Sequence, residues 1–208
     1  MNKYRYCFIV VFTSLCLQGF AMDVKSMFLS MPDTMFQLVD KHNRETLISQ
    51  AVPGSDTCSV VKNIFGSESW ISHIDDNLIV FHPSQVHTME MRVLCMDNGD
   101  SVLCVIDTYL APEKESRVVM YGNDWSEIRQ EDLKKMFSGF VVENVEDEML
   151  GCYSPLPDIR FVSATFDTDD ENAMLVTLSL PLLNESEKSK QKTENMQRKL
   201  NWNGILFK

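Results

Sequence analysis

The stretch that decides the fold runs from residue 86 to residue 110 and reads VHTMEMRVLCMDNGDSVLCVIDTYL. Two long runs of β-branched and apolar residues lie on either side of Asn98-Gly99. This dipeptide between such runs is the strongest short-range signal for a β-hairpin, because both residues accept the positive φ angles that a tight turn requires. The sequence therefore predicts an antiparallel hairpin at the centre of the chain.

A two-residue turn at this dipeptide also fixes which residues of the two strands face each other. The expected pairs are Met91 with Ile106, Val93 with Cys104, and Cys95 with Val102. These six residues would share one apolar face, and the opposite face would carry Glu90, Arg92, Ser101 and Asp107. In this register Cys95 and Cys104 are diagonal neighbours about 7 to 8 Å apart at their Cα atoms, too far for an ordinary disulfide.

Further β-rich runs on both sides of the hairpin have the spacing of an antiparallel meander. The expected strands of the meander are 60–65, 70–74, 78–81, 86–96, 101–110 and 117–121. Another hairpin is expected from 159–166 and 173–180, joined by an acidic turn. A small terminal hairpin is expected around Asn203-Gly204. Its apolar side chains should dock on the main body, namely Leu200, Trp202, Ile205, Leu206 and Phe207.

Helical spacing appears elsewhere in the chain. Pro32 and Asp33 are expected to open a first helix that carries Met35, Phe36, Leu38 and Val39. Asn43 is expected to cap a second helix that ends before Pro53-Gly54. A further helix is expected at 130–137, whereas the polar stretch 184–199 indicates a solvated helix or a flexible link.

The fold class predicted by this order is α+β. It consists of an N-terminal helical hairpin, an antiparallel β meander, a second helix and further antiparallel hairpins. We expect residues 22–208 to form one α+β domain, and a subdivision near residue 125 into two α+β halves stays open.

The first 21 residues have the features of a signal peptide. Lys3 and Arg5 precede an apolar run at 7–17, and small residues mark a cleavage site at 19–21. The run is too short to cross a hydrocarbon core, which needs about 20 residues, and no integral membrane span is expected. The residue before Cys16 is too large for a lipid-anchor signal, so we expect an exported protein of the periplasm or cell surface that is not a lipoprotein.

The net charge of the whole chain is −11. Loss of Lys3 and Arg5 with the signal peptide would make the mature protein more negative still. A surface this acidic repels phosphate backbones and anionic lipid head groups, so nucleic acid and membrane surfaces are not expected as partners.

Four cysteines follow the signal peptide, namely Cys58, Cys95, Cys104 and Cys152. Export permits disulfides, but a chain of this size does not depend on them. Disulfide bridges and buried free thiols are therefore both open.

The sequence contains no recognised motif for catalysis, metal binding or nucleotide binding. Ser55 and Ser67 follow glycines outside the Gly-x-Ser-x-Gly frame of a nucleophile. The histidines lack metal-ligand spacing; they are His42, His73, His82 and His87. The acidic turn at 167–171 lacks the glycine and the distal glutamate of a calcium-binding EF-hand loop. We therefore assign no catalytic, cofactor-binding or metal-binding residue and expect no cofactor.

Methionine is unusually frequent, with thirteen in the chain. Met27, Met31 and Met35 recur at helical spacing, and Met89 and Met91 share a strand face. Flexible methionine side chains can line an adaptable binding surface, but they fill irregular cores more often, and we expect the core role.

Four segments carry a resemblance to a known family: Met31-Pro32-Asp33, residues 88–92, Asp124-Trp125, and Trp202-Asn203-Gly204. Through these four segments the mature chain resembles an uncharacterised group of exported Bacteroidales proteins, domain-of-unknown-function family 3256. None of these segments is a chemical motif, since they suit capping, core and turn positions. The resemblance implies an envelope or secreted location and no assigned activity.

Two main functional hypotheses remain, beside a purely structural or inhibitor-like role that rests on fold analogy alone. The first is a non-catalytic periplasmic or cell-surface module that binds an envelope protein or a glycan. The alternative is a secreted hydrolase that uses carboxylates drawn from Glu143, Glu146, Asp147, Asp167 and Asp169. Two buried carboxylates facing each other across a pocket would favour the enzyme. An exposed sheet edge or apolar patch would favour the binding module.

We expect the mature protein to begin at Met22, because small residues at positions 19 and 21 form the cleavage site. N-terminal sequencing of the protein from its native host checks this. A retained segment 1–21, or a lipid-modified N-terminus, would contradict the expectation of a cleaved, non-lipidated protein.

Overall fold

The computed structural model describes residues 22–52, 59–110, 112–128, 161–181 and 197–208. Within these ranges the helices are α1 (Val24–Ser30) and α2 (Lys41–Gln50). The strands in the same ranges are β1 (Ser59–Lys62), β2 (Glu68–Ile74), β3 (Leu78–Ser84), β4 (His87–Cys95), β5 (Ser101–Leu110), β6 (Lys114–Tyr121), β7 (Phe161–Phe166), β8 (Ala173–Ser179) and β9 (Gln197–Asn201). The predicted α+β class and the antiparallel meander are confirmed.

The strands form two antiparallel sheets. Strands β1 to β6 follow one another in a six-stranded sheet, and β7 to β9 do so in a three-stranded sheet. Apolar side chains of α1, α2 and the segment between them pack on one face of the larger sheet. The smaller sheet packs on the opposite face. The larger sheet is therefore the middle of three layers, and its strands β3 to β6 carry core residues on both faces.

The central hairpin forms at the predicted place, but its predicted register is wrong by one residue. Cys104 pairs with Arg92 rather than with Val93. Backbone hydrogen bonds close a three-residue loop at 97–99, and Gly99 ends this loop with a φ of +86°. A type I turn followed by a left-handed glycine is a common alternative to the two-residue turn, and it shifts the pairing by one position.

This shift turns β5 over relative to the predicted face. The side of the hairpin that faces the helices carries Met91, Leu103 and Val105. The side that faces the smaller sheet carries Leu94, Val102, Cys104 and Ile106. The four residues predicted to share a polar face are therefore split, with Glu90 and Arg92 towards the smaller sheet and Ser101 and Asp107 towards the helices. Apolar residues on both faces explain why the sequence did not select the register.

Cys95 and Cys104 lie on opposite faces of the sheet and are both free thiols. Cys95 is exposed, while Cys104 is fully buried, and burial raises the pKa of the Cys104 thiol. The expectation that these two do not form a bond agrees with the structure, although the diagonal contact on which it was based does not occur. Cys58 and Cys152 lie outside the described residues.

The predicted first helix is misplaced. Helix α1 begins after Asp23, whose carboxylate accepts a hydrogen bond from Ser26 N at 2.9 Å, and it ends before Pro32. The chain then turns at Pro32 instead of starting a helix there, because Met35 N donates to the carbonyl of Pro32 at 2.9 Å. Phe36 lies in this non-helical segment, and its side chain is buried. Its spacing from the neighbouring apolar residues therefore imitates a helix that does not form.

The second helix is capped by Asp40 rather than by Asn43. The Asp40 carboxylate accepts a hydrogen bond from Asn43 N at 2.8 Å, so Asn43 lies in the first turn of α2. Within α2, Arg44 is 1% exposed and donates to the carbonyls of Val39 at 2.8 Å and Met31 at 2.7 Å. This buried guanidinium fixes the segment between the two helices.

Other boundaries differ by a few residues. Strand β1 ends at Lys62, because Asn63 begins a turn. Strand β9 begins at Gln197, inside the stretch 184–199 that was predicted to be a solvated helix or link. The predicted helix at 130–137 and the turn at Pro53-Gly54 lie outside the described residues. The predicted bounds of the mature domain stay a prediction.

Two charged residues of β4 join the two sheets. Arg92 is 2% exposed, lies 4.7 Å from the ring centroid of Phe166 and donates to backbone carbonyls of the β7–β8 turn. These carbonyls belong to Asp167 at 2.7 Å, Glu171 at 3.1 Å, Asp170 at 3.2 Å and Ala173 at 3.4 Å. The Glu90 carboxylate accepts from Phe166 N and from the Thr165 hydroxyl, both at 2.8 Å. The smaller sheet is thus held by its backbone as well as by apolar packing.

The predicted terminal hairpin is confirmed and docks on the main body. Leu200 and Phe207 are buried among side chains of both sheets. The Trp202 indole donates to the carbonyl of Cys95 at 2.6 Å, and Asp97 N donates to the carbonyl of Gly204 at 3.1 Å. The end of the chain therefore packs against the loop of the central hairpin.

We expect Gly204→Ala to destabilise the protein more than Gly99→Ala. Both glycines have positive φ, +90° and +86°, so an alanine at either position costs about 1 to 2 kcal/mol of strain. At Gly204 a Cβ would also overlap the Asp97 side chain and lie 3.0 Å from the Asp97 backbone N, whereas nothing lies within 4 Å at Gly99. Overpacking of this kind adds about 1 kcal/mol or more. Urea unfolding of both variants measures the difference, and equal losses would show that the docking contact is not tight.

We expect the stability difference between the wild type and Glu90→Gln to depend on pH. Burial raises the pKa of Glu90 above its ordinary value of 4.5, although hydrogen bonds from Phe166 and Thr165 partly offset this. The folded state thus holds this proton more tightly than the unfolded chain. Its contribution to the free energy of unfolding is fully present below pH 4.5 and falls as the pH rises through the raised folded value.

A glutamine is neutral and can keep both contacts, because the Thr165 hydroxyl can accept as well as donate. Urea unfolding from pH 4 to pH 8 should show wild-type stability falling relative to Glu90→Gln. Glu68→Gln, at an exposed position of β2, controls for the loss of one carboxylate. If the stability of the wild type minus that of Glu90→Gln is constant or rises with pH, the expectation is contradicted.

Candidate functional site

A cavity of about 310 Å³ opens on the side of the larger sheet that faces the helices. Its floor consists of residues from β4, β5 and β6. Its walls come from the segment between α1 and α2 and from the loop that follows β6. The cavity combines apolar, aromatic and charged side chains, which is typical of ligand-binding pockets.

His87 and Asp107 form the polar part of the floor. His87 is 5% exposed, and its Nε2 is hydrogen-bonded to the Asp107 carboxylate. The Tyr109 ring stacks on the imidazole with centroids 4.2 Å apart and an angle of 15°, and Phe36 lies 6.0 Å away. These contacts fix the orientation of the imidazole. The described residues that line the cavity include no serine, cysteine or threonine that such a histidine could activate.

Trp125 closes the cavity from the loop after β6. Its φ is 63°, the left-handed region that bulky residues rarely adopt, yet its side chain is only 8% exposed. The indole donates to the Ser30 hydroxyl at 3.3 Å, and its ring lies 5.3 Å from that of Tyr121. Such a conformation costs about 1 to 3 kcal/mol and persists only where the surroundings enforce it, often at functional sites.

Two carboxylates, those of Asp107 and Glu127, lie near the tyrosine side chains of the cavity. Burial raises the pKa of Tyr121, and the nearby carboxylates of Glu127 and Asp107 raise it further, while Arg117 opposes them. Burial and Asp107 likewise raise the pKa of Tyr109. Arg117 Nη2 lies 3.6 Å from the Glu127 carboxylate, so one of the two acidic groups is paired at the rim. Both hydroxyls therefore stay protonated and can donate hydrogen bonds at neutral pH.

An open groove of about 430 Å³ adjoins this cavity. The two share the side chains Met35, Phe36, His87 and Tyr109. Five large apolar side chains line the groove and remain exposed: Met35 (44%), Ile64 (62%), Phe65 (78%), Val86 (55%) and Tyr109 (51%). Exposed apolar residues gathered at one place mark interaction surfaces more often than scattered ones do.

Ile64 and Phe65 lie at the tip of the β1–β2 turn, which Asn63 holds in place. The Asn63 side chain accepts hydrogen bonds from Phe65 N at 3.0 Å and Ser67 N at 3.1 Å. It donates to the carbonyl of Pro83 at 3.2 Å. Ile64 N also donates to the carbonyl of Leu38 at 3.1 Å. The turn presents two bulky apolar side chains where polar residues are usual, and it does so from a fixed backbone.

Of the carboxylates proposed for hydrolysis, the two that the structure describes, Asp167 and Asp169, do not line this cavity. Lys199 Nζ lies 2.9 Å from a carboxylate oxygen of Asp167 and 2.9 Å from one of Asp170. Hydrogen bonds from Lys199 lower the pKa of both carboxyl groups. Asp169 is exposed on the same turn. The other members of the set, Glu143, Glu146 and Asp147, lie outside the described residues. Asp167 and Asp169 therefore belong to the acidic β7–β8 turn.

Another polar cluster lies on β2, β3 and β4. Ser72 Oγ lies 2.7 Å from His82 Nε2, and the Thr88 hydroxyl lies 3.1 Å from Nδ1 of the same ring. Burial lowers the pKa of His82, whose ring stacks on Trp70 at 4.7 Å. A serine beside a neutral histidine has the outline of an activated nucleophile. The group that orients this histidine is a neutral hydroxyl, however, which cannot stabilise an imidazolium as a carboxylate does.

Among the described residues, no three His, Cys, Asp or Glu side chains are arranged to hold a metal ion. In the same parts of the chain, neither helix has the length and apolar character needed to cross a membrane.

Sequence reasoning did not single out most of the groups at this site, namely Ile64, Phe65, Tyr109, Arg117, Tyr121 and Glu127. The usable signal was Ile64-Phe65 directly before Gly66, since bulky apolar residues are unusual at a turn. Met31 and Met89 were assigned to the core; they are buried but also line the cavity, where Met35 is exposed.

A search of the solved structures finds the same fold in a protein from Porphyromonas gingivalis W83. That structure, of a domain of an uncharacterised protein, matches with a TM-score of 0.63 and 18% sequence identity, over 88% of this chain and 96% of that chain. At this level of identity the likeness concerns the fold alone.

Comparison with curated proteins finds no match. A model of a protein family, described as protein of unknown function (DUF3256), matches residues 16–207. The resemblance that the sequence motifs carried is therefore confirmed, and the chain belongs to the DUF3256 family.

Proposed function

We propose that this protein is a non-catalytic exported module that binds a protein partner in the periplasm or at the cell surface. The groove defined above is the binding surface. The observation that carries this proposal is the β1–β2 turn, where Ile64 and Phe65 are exposed at the rim of an apolar groove while Asn63 fixes the backbone beneath them.

A rigid apolar surface suits binding for two reasons. Removing apolar area from water stabilises a complex by roughly 25 cal/mol per Å², and Phe65 and Ile64 have most of their area to contribute. A turn already held by hydrogen bonds also loses little conformational entropy on binding. The buried Asn63 side chain therefore prepares the contact before the partner arrives.

A protein partner fits this groove better than a glycan. Sugar hydroxyl groups need hydrogen-bonding partners when they leave water, and their burial without such partners is costly. Met35, Ile64 and Val86 provide apolar side chains with no strong hydrogen-bonding group. Methionine also adapts to irregular apolar shapes, as many peptide-binding surfaces require.

The alternative of a carboxylate hydrolase has less support. Asp167 and Asp169 lie on the β7–β8 turn, and Asp167 is paired with Lys199 rather than with a second carboxylate across a cavity. The two-carboxylate mechanism requires groups whose environments drive their pKa values apart. In Asp167 and Asp170 both pKa values are lowered together.

We expect Phe65→Ser to weaken partner capture at least tenfold. Phe65 is 78% exposed, so its loss should not disturb the fold, whereas burial of a phenylalanine at an interface contributes about 2 kcal/mol or more. The measurement is quantitative affinity capture from envelope extract of the native host, with wild type and variant immobilised at equal density.

Val60→Ser is the matched control, because Val60 is 45% exposed on the neighbouring strand β1 and does not line the groove. A protein retained equally by the wild type and Val60→Ser, but lost with Phe65→Ser, supports the proposal. Equal retention by all three, or equal loss with both variants, would show that the groove is not the binding surface.

A further inference from the structure

We propose that the cavity beside the groove receives a basic side chain, lysine or arginine, of the same protein partner. This inference rests on the proposed function and specifies which feature of the partner the site recognises. It follows from the aromatic walls of the cavity, the carboxylates that line it and its continuity with the groove.

Aromatic rings form much of the cavity surface. They belong to Phe36, Tyr109, Tyr121 and Trp125, with the imidazole of His87 between the first two. The faces of aromatic rings attract cations, and tryptophan and tyrosine do so most strongly. The same rings also pack against the methylene groups of a long basic side chain, which buries its stem while its head stays near charge.

The charges in the cavity favour a cation. Asp107 and Glu127 are acidic, and Arg117 is the basic group among the described lining residues besides His87. Arg117 is 69% exposed and lies at the rim, where it offsets Glu127 at 3.6 Å. Asp107 is only 27% exposed and lies deeper, beside His87. Counting the carboxylates and the guanidinium alone, the lining carries two negative charges and one positive charge, in keeping with the charge of −11 on the whole chain.

Size and position fit one side chain better than a whole small molecule. Pockets for drug-sized ligands measure roughly 300 to 1,000 Å³, and this cavity of about 310 Å³ lies at the low end. His87 and Tyr109 line both the groove and the cavity, so a peptide in the groove can extend one long side chain past them. An arginine or lysine at that point would place its charge near Asp107.

An NMR titration of the protein with Nα-acetyl-arginine amide tests the inference. The reporter is the indole N–H signal of Trp125, assigned by its loss in Trp125→Phe. We expect a saturable shift with a Kd on the order of millimolar, as suits so small a ligand. Nα-acetyl-citrulline amide has nearly the same shape without the charge, and we expect it to bind at least tenfold more weakly.

Glu127→Gln should weaken arginine amide binding several-fold, because it removes a carboxylate and leaves Arg117 unpaired at the rim. Glu45→Gln, on the exposed side of α2, makes the same charge change away from the cavity and should leave the affinity unchanged. Equal affinities for the arginine and citrulline amides, or no shift of the Trp125 signal, would overturn the inference.

The two proposals can fail separately. Loss of capture in Phe65→Ser without arginine amide binding would leave the groove as a binding surface and exclude a basic side chain in the cavity. Binding of arginine amide together with capture that does not depend on Phe65 would leave the cavity as a site for a basic side chain and exclude the groove as the binding surface.

Discussion

Burial of Arg92 between the two sheets is the constraint on which the rest of the structure depends. A buried guanidinium is costly unless it is hydrogen-bonded, and backbone carbonyls of the β7–β8 turn accept hydrogen bonds from both of its terminal nitrogens. Glu90, two residues earlier on the same face of β4, binds the end of β7 through Phe166 N and the Thr165 hydroxyl. The smaller sheet can therefore form these hydrogen bonds with both residues only in one position, which apolar packing alone would not specify.

The position of these two charges depends on the central hairpin, and so does the candidate site on the opposite face. With the three-residue loop at 97–99, His87 pairs with Tyr109 and Met89 with Asp107. All four side chains then lie on the face towards the helices, where the imidazole meets the Asp107 carboxylate and the Tyr109 ring. A two-residue turn would have placed Asp107 and Tyr109 on the other face. The left-handed Gly99 thus determines the chemistry of a cavity that it does not touch.

The groove and the cavity also depend on parts of the chain that lack regular structure. The segment between α1 and α2 supplies Met35 and Phe36, and buried Arg44 holds that segment by its carbonyls. The β1–β2 turn supplies Ile64 and Phe65 and is held by Asn63. Trp125 closes the cavity in a strained backbone conformation. Loops on a rigid sheet commonly carry binding surfaces, because the sheet positions them while their sequences vary freely.

The sequence by itself determined the α+β class, the meander and the terminal hairpin, because alternation and turn residues are local signals that the backbone must obey. It did not determine the start of α1, since Asp23 was not recognised as its cap and the spacing of Met35 and Phe36 imitated a helix. Only the tertiary structure decided the register of β4 and β5. Both faces of that hairpin are buried, so shifting it by one residue exchanges one apolar face for another and local pattern cannot choose between them. For the same reason Glu90 and Arg92 looked like solvent-facing residues, and only the packing of the second sheet shows that they lie between the layers.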